Sequence, residues 1–428
     1  MDNINLKNQE LALNGGPKIR QRPWPDNITT GDEEKFALAR VIDNGYMSMF
    51  EGSHTPDKPF SFYGGPEVQA LEDEWCEYYN TPYSVSVNSA TSGLYMAIGA
   101  LGIGFGDEVI VSPYTMSACA MAPMIYGAIP VFADVDDLGS LDPKSIKNLV
   151  SSRTKAILVV HQFGIPAQMD EILKIAKENN LKIIEDCAQA HGAKYKGKFV
   201  GTIGDIGVFS LNVNKAIQSG EGGVCITNDK DLHYRLALIR NHGEAVVGPA
   251  NYSNIINIAG FNYRMTELQA AVSRVQLSKL DNLNSERLEL VNQLNEGLRQ
   301  FDFLVIPDYK INCVSTYYLY PLRFLPKSTG VKREDFVNAV NAEGINFAQG
   351  YVKPLYTQPL YQQKKLFKAG YPFSAVENQK CRMEFNIGTC PNAEKLHFDQ
   401  MIISEHVRPP CKKDDICDII NSIEKVAS

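Results

Sequence analysis

Short apolar runs alternate with amphipathic stretches through the middle of the chain. Val85–Val87, Val109–Val111, Val131–Ala133, Ala156–Val160, Ile183–Glu185, Val208–Ser210 and Val224–Thr227 have the length and side chains of buried strands. Between them, apolar residues recur at helical spacing. Leu94, Ala97, Ile98 and Leu101 predict a helix starting near Ser92, and Met169, Ile172, Leu173 and Ala176 predict another. Strand–helix alternation of this kind implies a mainly parallel sheet covered by helices on both faces. Farther on, Thr266-Glu-Leu-Gln269 has the capping-box pattern and opens a long helix carrying Leu268, Ala271, Val272 and Val275 on one face. Thr316–Phe324 reads as strand-like, and Ile416, Ile419, Ile420 and Ile423 mark the apolar face of a closing helix.

This pattern predicts three parts. Residues 1–60 form a polar, proline-containing arm with one helix near Glu33–Asn44, associated with the small unit and the mouth of the site. Residues 61–280 form a large α/β unit, and residues 281–428 a smaller α+β unit. A chain of 428 residues suits two such units at roughly 100–200 residues each.

One stretch tests that division. From Val109 to Ala133 the chain has no charged side chain for 25 residues, enough by count to cross a bilayer. Pro113, Pro123 and Pro130 lie inside it, and a spanning helix must satisfy its own backbone, so a buried strand–helix–strand segment is the expectation. The net charge of −7 argues against nucleic acid as a partner, which needs a basic face. Nine cysteines without a C-x-x-C pair, and an N-terminus without a basic-then-apolar signal, point to reduced thiols in the cytoplasm. No His or Cys spacing makes a metal site.

Ligands of open α/β sheets bind beyond the carboxyl ends of strands, and the informative polar residues sit there. Asp186 follows Ile183-Ile184-Glu185, Ser210 ends Gly207-Val208-Phe209, and Lys215 comes shortly before Ser219-Gly-Glu-Gly-Gly223. Asn88-Ser-Ala-Thr-Ser-Gly93 joins a strand to a helix N-terminus, where free N–H groups and hydroxyls favour an anion. Pro113-Tyr114-Thr adds an aromatic. A phosphate cradle, a carboxylate, a lysine and an aromatic are the groups that pyridoxal phosphate needs. The glycines at 220, 222 and 223 lack the spacing of a dinucleotide loop and precede a strand, which excludes a dehydrogenase reading.

The ordered motifs make the resemblance specific. Ser-Ala-Thr-Ser-Gly-Leu (89–94), Gly-Asp-Glu-Val-Ile-Val-Ser-Pro-Tyr-Thr (106–115) and Val-His-Gln-Phe-Gly (160–164) come first. Glu-Asp-Cys-Ala-Gln-Ala-His-Gly-Ala (185–193), Phe-Ser-Leu-Asn-Val-Asn-Lys (209–215) and Gly-Glu-Gly-Gly (220–223) follow. Arg-Asn-His-Gly (240–243) and Gly-Phe-Asn-Tyr-Arg-Met-Thr-Glu-Leu-Gln-Ala-Ala (260–271) close the series. The chain resembles the DegT–DnrJ sugar aminotransferases, a group of fold-type I pyridoxal-phosphate enzymes. The resemblance implies a mainly parallel seven-stranded sheet between helices in the large domain, with a smaller α+β C-terminal domain. It implies Lys215 as Schiff-base lysine and acid/base, Asp186 at the pyridinium nitrogen, Gln189 at the ring hydroxyl and Tyr114 stacked on the ring. Ala90, Thr91 and Ser210 would bind the phosphate, and Asn262 would reach the phosphate of the neighbouring subunit in a homodimer with shared sites.

The resemblance further implies transfer of an amino group from L-glutamate or L-glutamine to a keto-sugar or keto-cyclitol. Met47, within the Gly45–Gly65 mouth, and His161, Tyr351 and His406 are the candidate substrate residues. His161 and His191 read equally well as packed, hydrogen-bonded groups. Lys215 argues against the family's dehydratases, which carry histidine there. Two other readings stay open: a dehydrating synthase of the 3-amino-5-hydroxybenzoate type, and a non-catalytic regulator that binds the cofactor.

Overall fold

The computed structural model describes residues 4–53, 59–307 and 312–428. The central sheet contains β1 (Tyr83–Val87), β2 (Glu108–Val111), β3 (Ile129–Phe132), β4 (Thr154–Val160) and β5 (Lys182–Asp186). The short hairpin strands β6 (Lys194–Tyr195) and β7 (Lys198–Phe199) precede its last two members, β8 (Ile206–Ser210) and β9 (Gly223–Thr227). The seven strands lie in the order β1-β9-β8-β5-β4-β2-β3. All pairings are parallel except those of β9, which runs antiparallel to both β1 and β8.

Strand alternation divides the apolar side chains between two helical layers. Val109, Val111, Leu158, Ile184 and Val208 face α3 (Ala90–Ala100), α4 (Ala118–Ile125) and α7 (Lys230–Arg240). Ile110, Ile157, Val159, Ile183 and Phe209 face α2 (Pro66–Tyr79), α6 (Met169–Asn179) and the first half of a long helix, Glu267–Leu298. With α1 (Asp32–Asp43), α5 (Pro143–Leu149) and α8 (Gly243–Val246) in place, that long helix is α9. The uncharged run resolves as β2, the Pro113-Tyr114 loop, α4 and β3, buried for the most part but with Met116 and Ser117 exposed before α4. No helix among the described residues is long and apolar enough to cross a membrane.

The capping box at Thr266 forms as expected. Its Oγ accepts from Gln269 N–H at 3.2 Å, and Gln269 Oε1 accepts from Thr266 N–H at 3.1 Å. The helix then runs unbroken through residue 280, where the sequence places a boundary. Ala270, Leu277 and Leu280 belong to the large core, whereas Leu290, Val291, Leu294 and Leu298 belong to the small one. One helix therefore serves both units, and no linker separates them. The smaller sheet contains β10 (Leu304–Val305), β12 (Tyr320–Phe324), β13 (Phe347–Gln349) and β14 (Met401–Ser404), in the order β10-β12-β14-β13. Strand β11 (Cys313–Val314) instead extends the β6–β7 hairpin. The strand expected over Thr316–Phe324 occupies only its second half, because Thr316 and Tyr318 hydrogen-bond to Gly164 and Phe163 of the large unit.

Both chain ends close on the small core. Ile4 and Leu11 pack with Ile416, Ile419 and Ile423 of the C-terminal helix (Lys413–Ala427). Arg20 pairs with Asp415 and Asp418 of that helix at 2.8 Å each. Leu355, Tyr356, Tyr361, Phe373 and Phe385 cross back onto the α3–α4 face of the large core. This return brings Tyr351 across to the sheet edge that carries the candidate site.

Candidate active site

The site forms at the carboxyl ends of β1, β2, β5 and β8. Ser89 caps α3, its Oγ accepting from Ser92 N–H at 3.1 Å, and Asn88 Oδ1 accepts from the Ser92 hydroxyl at 2.7 Å. The first-turn N–H groups of Ala90 and Thr91 have no carbonyl one turn back, as at any helix N-terminus, and so are free to donate outward. The start of β9 passes directly behind it. A Cβ on Gly223 would sit 2.8 Å from Ala90 N and 2.7 Å from Phe209 O, so only glycine lets β9 approach this closely.

Ser210 ends β8 at the same edge, and the connection to β9 is a long hairpin. Leu211 N–H donates to Gly222 O and Val213 N–H to Gly220 O, both at 2.9 Å. Lys215 sits near the tip, half-buried, with Nζ 4.3 Å over the Tyr318 ring. Burial lowers its pKa and the Asp186 carboxylate opposes that shift. Asp186 is 5% exposed; Oδ1 accepts from Ala188 N–H at 2.9 Å and Oδ2 from the Cys119 thiol at 3.0 Å.

Gln189 is fixed by two bonds. Its Oε1 accepts from Phe163 N–H at 2.7 Å, and its Nε2 donates to the Tyr351 hydroxyl at 3.0 Å. Phe163 makes this bond from a left-handed backbone, φ 59°. The Tyr351 N–H in turn donates to the Tyr114 hydroxyl at 3.0 Å. Tyr351 thus reaches the cluster and carries the small unit with it.

Several sequence expectations are corrected by this geometry. Tyr114 has no exposed surface, so its ring presents no open face for stacking; it packs beside Gly139, Tyr351 and His397 and supports Tyr351 from below. His161 is also fully enclosed and does not face a substrate. Its Nδ1 accepts from Ala167 N–H at 3.1 Å, which leaves Nε2–H to donate to Glu185 at 2.9 Å. Glu185 further accepts from the N–H groups of Gly201, Ile203 and Gly204. His161, Glu185 and Cys187 lie within metal-binding distance of one another, but the His and Glu ligand atoms are already engaged in these bonds.

His406 does not join the Lys215 cluster either. Its ring stacks on Trp24 at 4.2 Å, tying the N-terminal arm to the small unit, and burial lowers its pKa to about 4. Met47 is exposed, and its carbonyl accepts the Glu267 N–H at 2.9 Å, so it anchors the start of α9. Of the expected mouth, residues 54–58 lie outside the described residues. His191 is buried between Trp75 and Phe209, with its pKa lowered to about 3 by burial and then by Lys215, which keeps the imidazole neutral. Asn262 is exposed immediately behind the α3 cradle, its carbonyl accepting from Asn88 Nδ2 at 3.4 Å.

Residues 58–424 match the family model of the DegT/DnrJ/EryC1/StrS aminotransferases. The chain belongs to that family. It is similar to a putative L-glutamine:3-amino-2,3-dideoxy-scyllo-inosose aminotransferase of Micromonospora echinospora, 30% identical, over 98% of this chain and 97% of the relative. It is likewise similar to the dTDP-3-amino-3,4,6-trideoxy-alpha-D-glucose transaminase of Streptomyces venezuelae, 33% identical, over 77% of this chain and 80% of the relative. Among solved structures, S. venezuelae DesV matches with a TM-score of 0.76 and 29% identity, over 93% of this chain and 95% of DesV. The family's aminotransferase activity agrees with a half-buried lysine, a buried carboxylate and a helix N-terminus at the carboxyl ends of the same sheet.

Two participants escaped the sequence reading. Tyr318, beneath the Lys215 ammonium, lay in a segment read only as strand-like, and Cys119 lay in the uncharged run, where a lone thiol reads as packing.

Proposed function

We propose that this aminotransferase holds pyridoxal phosphate at Lys215 and moves an amino group from L-glutamate or L-glutamine to a keto-cyclitol or nucleotide-linked keto-sugar. The observation that carries this reading is the convergence of Lys215, Asp186 and the α3 N-terminus at one sheet edge. The fit is chemical as well as spatial: a desolvated amine, a carboxylate with hydrogen bonds to both oxygens, and unpaired first-turn N–H groups match the aldehyde, ring nitrogen and phosphate of the cofactor. When bound, the cofactor supplies a carbonyl that takes up the amine and a ring that withdraws electrons from the adjacent carbon.

The protein's own groups do the rest. The Lys215 amine, its basicity reduced by burial, carries the proton to and from the reacting carbon. Asp186 keeps the ring nitrogen protonated, and Ala90, Thr91 and Ser210 hold the phosphate. The second N–H of Gln189, not used by Tyr351, is available to the ring hydroxyl. Tyr351 and Tyr318 wall the cleft from the small-unit side. In a homodimer, the exposed Asn262 side chain extends the neighbouring cradle. All nine cysteines are free, which supports a cytoplasmic location.

Loading the protein with pyridoxal phosphate and adding L-glutamine or L-glutamate separately tests this reading. Loss of the cofactor's visible absorption is expected with at least one donor, and its return on adding a keto-inositol or a nucleotide keto-sugar identifies the acceptor. Absorption unmoved by either donor contradicts the proposal in favour of a regulator. Water released with no aminated product contradicts it in favour of a dehydrating synthase.

A further inference from the structure

The Cys119 thiol is completely buried on α4, and its sulfur lies 3.0 Å from Asp186 Oδ2. An ionised carboxylate only accepts hydrogen bonds, so the thiol proton lies between the two atoms. Burial, reinforced by Asp186, raises the Cys119 pKa well above its usual value, so the group stays a thiol and a donor. On its far side the Thr115 hydroxyl lies 3.9 Å from the sulfur, itself buried, and the Cys119 N–H bonds to Met116 O at 3.2 Å. The β2–α4 loop therefore presents a Thr115–Cys119 pair to the end of β5. Asp186 Oδ1 is already held by Ala188 N–H. Both oxygens are thus fixed from the protein side, which sets the plane of the carboxylate and leaves its remaining lone pairs for one more donor.

We propose that Cys119 is a positioning residue for Asp186, holding the carboxylate oriented for the ring nitrogen of the cofactor. This rests on the proposed cofactor site. Apolar packing alone requires a side chain of suitable volume at position 119, whereas this role requires a donor.

Cys119→Val removes the donor and adds roughly one methyl group, Cys119→Ala removes the donor and leaves a smaller side chain, and Cys119→Ser keeps a donor. The charged and titratable groups around Asp186 are Lys215 from the β8–β9 hairpin, Cys187 from the end of β5, Tyr351 from the small unit and Cys119 itself. Only the last is altered. Loss of a hydrogen bond to a charged group is expected to weaken cofactor affinity and kcat about tenfold in the valine variant. The serine variant should stay within about threefold of the wild type. Absorbance titration of the apoprotein with pyridoxal phosphate reads affinity independently of turnover.

A folded valine variant with wild-type affinity and kcat overturns the proposal. If valine does not fold, the comparison of alanine with serine decides in the same way: equal affinities and equal kcat values overturn it. A wild-type protein that binds the cofactor and transaminates, beside an indifferent valine variant, defeats only this inference. A wild-type protein that never binds the cofactor defeats the functional reading beneath it.

Discussion

Replacing Lys215 by alanine will leave a folded protein whose amino-transfer rate has fallen by roughly 10⁴-fold or more, the upper range for loss of a positioned acid–base group. The reason is local. Lys215 stands near the tip of the β8–β9 hairpin, with its ammonium over Tyr318. Its removal deletes the group that, in the proposed function, both takes up the cofactor and moves the proton. The hairpin is held by the backbone bonds of Leu211 and Val213, which the substitution does not touch, so the melting temperature should change by no more than about 2 °C. Initial rates and thermal melts measure the two effects together. An alanine variant retaining a tenth of the activity contradicts the role given to Lys215.

Glu185 carries the second large effect, on stability. It lies one residue before Asp186 and points to the opposite face of β5, where it is wholly buried. Three backbone N–H groups from the 201–204 loop and Nε2–H of His161 converge on its two oxygens. Glu185→Leu strands all four donors, at roughly 1–3 kcal/mol each, and should destabilise the protein by about 4 kcal/mol or more. That is a large fraction of a typical 5–15 kcal/mol. Glu185→Gln keeps one acceptor oxygen and should lose roughly half as much. Urea midpoints at constant m measure both. A leucine variant within about 1 kcal/mol of the wild type contradicts this account of the loop.

The central sheet was legible because its strands are buried on both faces, so each reads as a short apolar run between turns. That Asp186, Gln189, Ser210 and the 88–93 loop lie at or just beyond strand ends was legible because motif order follows strand order, whereas Lys215 lies out near the tip of the β8–β9 hairpin. The division of the chain was less so. A helical period does not change where α9 leaves one core and enters the next, and the apolar residues of 355–385 carry no mark of the surface they cover. Side-chain direction was the other gap. Tyr114 and His161 occupy loops at the correct edge, but their side chains turn into the core, where Tyr351 and Glu185 complete their hydrogen bonds. His406 shows the opposite case: a neighbour distant in sequence, Trp24, takes the ring that local spacing left free.

The most direct measurement uses glutamine and glutamate, each labelled with ¹⁵N at the α-amino group and incubated separately with the cofactor-loaded protein and a keto-inositol or nucleotide keto-sugar. The account predicts ¹⁵N bonded to the former keto carbon, with one 2-oxo acid released per amine formed. Label that stays on both donors with every acceptor, or that leaves as free ammonia, contradicts it.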